Sequence, residues 1–310
     1  MLRPRLIRTP KKSSLGKAVV SAGLTLLAVA GVGLGPAPHG YYGTDDRTEV
    51  YQLSGQNLAD ADSVVALFPD SQVHDLGDGT AALLTVHYGD SYNLCPSERF
   101  REQPIGSFCS GVLVAPDIIA TAAHCIQDMN IADIRFVFGY QMRDTDTPEL
   151  IINKSDIYQG VEVIAWQLDR NTGADWALIR LDRLVVNHRI AKIRERGTVS
   201  DGQAIHIIGY PMGLPSKFAG GGTVRENRYR AVFVENLDAY PGNSGSPVFN
   251  STTHVVEGLQ VRGKKDSFVK QGECFVSRVC PDAGCSGGLT VRTTEFVRFL
   301  TWLNQGATAR

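Results

Sequence analysis

The sequence predicts an all-β protein, a sandwich or barrel, with a single helix close to its C-terminal end. Three observations predict it. Strand-length apolar or alternating stretches bounded by Gly, Pro, Asn or Asp recur at even intervals, over 81–88, 111–115, 134–140, 161–168, 176–181, 204–210, 229–237, 246–249 and 254–261. No long amphipathic helix separates them, which argues against alternating β and α units. Only near the end does the period change: Phe296, Val297, Phe299, Leu300 and Leu303 recur at helical spacing, so 294–304 is expected to be a helix whose apolar face docks on the β body.

The bulk of the chain sets few further limits. With 310 residues, 43% hydrophobic and 20% charged, it has an ordinary globular composition. A formal net charge of -1 offers no overall excess of either sign, so neither nucleic acid nor an anionic membrane is an expected partner. At the N-terminal end, Arg3, Arg5, Arg8, Lys11, Lys12 and Lys17 precede an apolar run over 18–34. That order reads as a secretory signal, with cleavage after Ala30 or Ala37, and no later segment is long and apolar enough to span a bilayer. The expected organisation is a signal or apolar segment over 1–37, an extension over 38–80 and a single domain over 81–310, secreted or periplasmic.

The six cysteines, Cys95, Cys109, Cys125, Cys274, Cys280 and Cys285, fit export: their number is even and no CxxC pair occurs, so disulfides are expected rather than a metal site. A bridge from Cys125 to Cys109 would pin the turn that carries His124 to the apolar strand before it. The other four cysteines admit three pairings. His74, His87, His188, His206 and His254 lack partner motifs and read as surface or packed residues, so the reading includes no metal and no cofactor.

Three motifs carry chemistry. DAYPGNSGSP places Ser244 between glycines, where a tight turn exposes its hydroxyl and lets the Gly242 and Ser244 amides serve as an oxyanion hole. TAAHC places His124 directly after an apolar strand, and GADWALIRL opens a strand with Asp175, a carboxylate suited to orient a far imidazole nitrogen. The order His, Asp, Ser excludes the α/β-hydrolase arrangement, which needs a GxSxG elbow; Ser246 stands where that motif needs its last glycine. These residues point to a serine endopeptidase acting on protein or peptide substrates. The rival classes are a catalytically silent binding module on the same scaffold and an esterase using the same site.

Through TAAHC, DWALIRL and GNSGSP the chain resembles the trypsin/chymotrypsin-like serine peptidases, and bacterial members similar to glutamyl endopeptidases in particular, which share GNSGSP and a segment like YGTDDRTEV, here 42–50. The resemblance implies a double six-stranded β-barrel with His124, Asp175 and Ser244 in the cleft between barrels and a C-terminal helix outside. It also implies a primary pocket based on Asp238, six residues before the serine, and walled by Gln260, Val261, Arg262 and Gly263. An acid at that base favours Arg or Lys side chains. Glutamyl specificity is the alternative, although the wall strand offers Gln260 and Val261 where glutamyl enzymes tend to place a histidine. Asn243 stands where digestive trypsins carry an aspartate, so activation through an ion pair to a new N-terminal amine is not expected.

Overall fold

The computed structural model describes residues 40–262, 267–282 and 284–300. Twelve strands build two barrels. The first comprises β1 (Val64–Pro69), β2 (Cys109–Ala115), β3 (Ile118–Thr121), β4 (Ile134–Val137), β5 (Ile157–Leu168) and β6 (Asp175–Leu181), closed in the order β4-β5-β6-β3-β2-β1. The second comprises β7 (Ala204–Gly209), β8 (Lys217–Glu226), β9 (Val232–Glu235), β10 (Pro247–Asn250), β11 (Val256–Arg262) and β12 (Gly288–Arg292). Its order is β7-β10-β11-β12-β9-β8, and antiparallel pairing of β8 with β7 closes it. Closure pairs the first and last strands of each barrel with each other.

The strands form where the apolar pattern demands burial. All seven residues of β2 are buried, and β3 is buried throughout, because Val112, Leu113, Ile118 and Ile119 have neighbours on both faces. The second barrel is filled by Ile205, Ile207, Val224, Phe233, Leu237 and Val248. A helix begins at Val297; Phe296 and Leu300 are buried, and the Phe296 and Phe299 rings lie 5.8 and 5.4 Å from Trp176. The expected helical continuation to residue 304 lies outside the described residues, as does the expected signal segment. Among the described residues, no helix is long and apolar enough to cross a membrane.

The barrel begins before the boundary expected at residue 81. β1 contributes Val64, Val65, Ala66, Leu67 and Phe68, all buried, between β2 and β4. Buried on both faces, this strand has no alternation to mark it. The stretch from residue 81 instead supplies Thr80–Leu83 to a separate sheet with Val73–Asp75 and Ile151–Asn153.

Residues 42–50 form an arm that packs on the second barrel. Its short strand Arg47–Glu49 adds to β8, with Ala219 opposite Arg47 and Lys217 opposite Glu49. Arg47 is 1% exposed; it is held by two bonds to Asp45 (2.8 and 2.7 Å) and lies over the Tyr240 ring at 4.2 Å. Lys217 and Glu49 form a buried ion pair at 3.0 Å, and burial lowers the lysine to about 8 against the pull of Glu49.

Three disulfides close the cysteine pairings: Cys109–Cys125, Cys95–Cys274 and Cys280–Cys285. The first joins β2 to the histidine turn. The second ties the loop after the pocket-wall strand to the segment before β2.

Candidate active site

Three elements from two barrels meet. His124 lies in the turn Ala123–Cys125 that follows β3, held to β2 by Cys109–Cys125. Asp175 is the first residue of β6 and is 2% exposed. One of its oxygens accepts the His124 backbone N–H at 3.0 Å, while the other lies 2.7 Å from His124 Nδ1. The acid therefore fixes both the main chain and the ring of the histidine. On the ring's other side, His124 Nε2 lies 2.8 Å from Ser244 Oγ. Carboxylate, imidazole and hydroxyl thus form one continuous line of contacts, brought together from the three motifs.

The turn around Ser244 depends on two glycines. Gly242 and Gly245 have φ of +94° and +85°, where a side chain would be strained, and a Cβ on either would strike a backbone carbonyl, that of Tyr210 or of Ser110. Further bonds hold the turn to both barrels. Ser110 on β2 donates its hydroxyl to the Gly242 carbonyl (2.7 Å) and its N–H to the Ser244 carbonyl (2.9 Å). On β11, Gln260 accepts from the Gly245 N–H (2.7 Å) and donates to the Ser246 carbonyl (2.9 Å). The Asn243 side chain is used inside the turn, where it accepts from the Tyr240 N–H at 3.1 Å and donates to Ser246 Oγ at 3.3 Å. Among the described residues, the Gly242 and Ser244 N–H groups donate to no protein acceptor. A cavity of about 280 Å³ opens beside Gly242 between Phe108, Met212 and Pro241.

The expected pocket residues have distinct places. Gln260 and Val261 are buried on β11, Arg262 is half-buried at its end, and Gly263 lies outside the described residues. Asp238 is buried, and its two oxygens accept the N–H groups of Tyr42 and Asp46, both at 2.7 Å, so it anchors the arm. Burial raises its carboxyl to about 7 even though these two bonds favour the charged form.

A second buried acid escaped the sequence reading. Glu235 ends β9 opposite Gly288 and accepts the Leu237 N–H at 2.6 Å. Its carboxyl and the Gln260 side-chain amide converge above Gly288. Burial lifts it to about 7, with the Leu237 and Gln260 bonds acting the other way. Its strand, Val232–Glu235, alternates no polar residues, so Glu235 resembled an ordinary strand end. Ser110 was equally hidden, inside CSGVLVA.

The trypsin-like peptidase domain matches residues 109–258, a span holding β2, the histidine turn, Asp175, the Ser244 turn and the first part of β11. The VesB protease of Vibrio cholerae has the same fold at 13% identity and a TM-score of 0.50, over 83% of this chain and 66% of VesB, so the chain spans slightly less than two thirds of that protein. Human heparin binding protein is similar at 14% identity and a TM-score of 0.50, over 84% of this chain and 96% of its own. The chain thus carries a trypsin-like peptidase domain over residues 109–258, which holds His124, Asp175 and Ser244, within a fold of two closed six-stranded barrels that these two neighbours share.

Proposed function

We propose that this chymotrypsin-like serine peptidase is an exported endopeptidase with His124, Asp175 and Ser244 as its catalytic triad. The observation that carries this is the unbroken line from Asp175 Oδ2 through the His124 ring to Ser244 Oγ, at 2.7 and 2.8 Å. Ser244 Oγ attacks the scissile carbonyl carbon as His124 Nε2 takes the hydroxyl proton. Asp175 holds the ring and stabilises the imidazolium. The carbonyl oxygen, now an oxyanion, is held by the Gly242 and Ser244 amides; a donor of this kind contributes about 10²–10³ in rate. The C–N bond then breaks, His124 returns the proton to the leaving amine, and water repeats the sequence on the acyl-enzyme.

A cationic side chain is the preferred guest in the primary pocket. Asp238 and Glu235 are two buried carboxyls of the second barrel, and burial first, then the charge of Asp238, raises the titration of Glu235. Because Asp238 also holds the arm, Glu235 beside Gln260 is the acid better placed to read a guanidinium or ammonium group. Export is supported by three disulfides, which persist in oxidising compartments.

The test is hydrolysis of a peptide library with cleavage sites mapped by mass spectrometry, using the wild type, Ser244→Ala and Glu235→Gln. Cleavage abolished by Ser244→Ala establishes the nucleophile. Cleavage after Arg or Lys that Glu235→Gln weakens supports the pocket, whereas cleavage after Glu overturns it. No cleavage by the wild type would favour a silent binding module.

A further inference from the structure

Away from the catalytic cleft, three side chains from distant parts of the sequence converge on one point. Asp60 lies in the helix Gly55–Ala61, His206 on β7 and His254 in the turn between β10 and β11. His254 Nδ1 lies 2.6 Å and His206 Nε2 3.3 Å from Asp60 Oδ2, and one ligand atom from each residue falls within 4.8 Å of the others. From the sequence both histidines are expected only to be surface or packed residues.

The His206 ring has little freedom. It is 1% exposed and stacked against Phe218 and Phe249 at 5.0 and 5.1 Å. Its Nδ1 lies 3.1 Å from Ser251 Oγ, while its buried Nε2 makes no hydrogen bond of good geometry among the described residues and has the Asp60 carboxylate beside it at 3.3 Å. A buried imidazole nitrogen so poorly satisfied by its neighbour is suited to a ligand between the two. His254 is also held in place: its φ of +57° is uncommon for a residue with a side chain and turns its ring toward Asp60. Asp60 Oδ1 is oriented by the Gln56 side-chain amide at 3.0 Å.

We propose that Asp60, His206 and His254 form a structural site for a divalent transition-metal ion of the zinc class. Two imidazoles and one carboxylate are a donor set that Zn²⁺ takes, and bonds of about 2.0–2.1 Å in a tetrahedron set donors roughly 3.3 Å apart. The His206–Asp60 separation already has that value. The closer His254–Asp60 pair opens as the metal replaces the proton between them. With Nε2 bound to the metal, His206 Nδ1–H donates to Ser251 Oγ, the outer contact that fixes the tautomer of a metal-bound histidine. A cavity of about 160 Å³ borders Asp60 and His254 and admits a water as fourth ligand. Arg189 and Lys192 line its exposed side and favour an anion in that position. The metal clips the segment that enters the first barrel to two elements of the second, and this site does not depend on the proposed peptidase reaction.

The full chain, stripped of metal with a chelator and dialysed, is titrated with Zn²⁺ against a chromophoric competitor, and its thermal midpoint is followed with and without Zn²⁺. The expected result is one tight site per chain and a midpoint raised by Zn²⁺. His254→Ala is expected to weaken binding at least 100-fold and Asp60→Asn at least tenfold, while His74→Ala and His124→Ala bind as the wild type does. Metal-free melts establish that each variant is folded. Absence of stoichiometric binding overturns the site, as does binding unchanged in folded His254→Ala and Asp60→Asn. Loss of binding in His124→Ala instead would place the metal in the catalytic centre and overturn it equally.

Discussion

Two clusters of histidine and aspartate join the barrels, and they use the same groups differently. Around His124 the contacts run in series: the carboxylate touches one ring nitrogen, and the other ring nitrogen touches a hydroxyl facing open space. Around Asp60 they run in parallel, with two imidazoles converging on one carboxylate oxygen. A series arrangement lets the imidazole take a proton from the hydroxyl while the carboxylate holds the ring and stabilises its cation. A convergent arrangement directs several donor atoms at one point, as coordination of a cation requires. Residue types alone do not distinguish the two; the order of contacts does.

That distinction is best tested first at the serine. Ser244→Ala is expected to lower kcat/KM on a cleaved peptide by about 10⁶-fold, and adding His124→Ala should cost little more, because the two act as a unit. Additive losses would break the reading of the first cluster as a single series. Asp175→Asn comes next, with a fall of about 10⁴-fold in kcat, since an amide neither fixes the imidazole tautomer nor steadies its cation.

The clusters also differ in how they are anchored. Replacing Cys109 and Cys125 by serine frees the His124 turn and is expected to cost about 3 kcal/mol in urea unfolding, for a loop of 16 residues. The second cluster has no covalent tie. His206→Phe keeps a ring between Phe218 and Phe249, so metal-free stability should change by less than about 1.5 kcal/mol while stabilisation by Zn²⁺ disappears. A larger metal-free loss would show a polar network working without a metal.

The mildest test is a slope. Asp60 is pushed up by burial, but the interactions with His206, Gln56 and His254 outweigh this and hold it below its ordinary value. Its contribution is present above the ordinary carboxylate range and is lost as pH falls through the folded value. Asp238 behaves oppositely: raised from 3.8 to about 7, it stabilises the fold fully below about pH 4, and this is lost as pH rises through about 7. Unfolding free energies from urea titrations between pH 4 and 7 should therefore fall less steeply for Asp238→Asn than for the wild type, by no more than about 1.4 kcal/mol per pH unit. Parallel slopes would show that Asp238 is not the group responsible.

Legibility in the sequence followed the same division. His124, Asp175 and Ser244 stand in short motifs beside strands, where a turn, a cysteine or a pair of glycines marks each one. Eight of the twelve barrel strands were equally visible, but β1, β3, β8 and β12 were not: the unbroken VVALF of β1 and IIAT of β3 have no period to detect, and three successive glycines interrupt β8. Asp60, His206 and His254 carry no such marks: one is inside a short helix, one on a buried strand and one in a turn, 146 and 48 residues apart in sequence. Asp238 was legible as an acid in a significant place but not as an anchor, because its partners Tyr42 and Asp46 precede it by 196 and 192 residues. Glu235 has no motif of any kind.

The arm over residues 42–50 also sets a timetable for synthesis. It leaves the ribosome early, yet the strand it pairs with, the carboxylate that holds its amides and the tyrosine beneath its arginine all emerge more than 160 residues later. The first barrel can close on the growing chain once β6 has appeared. The arm must wait, with Arg47 and Glu49 still hydrated, until the second barrel is made. Contacts of such long range slow the final step of folding, and they make the docking of the earliest segment the event that completes the molecule.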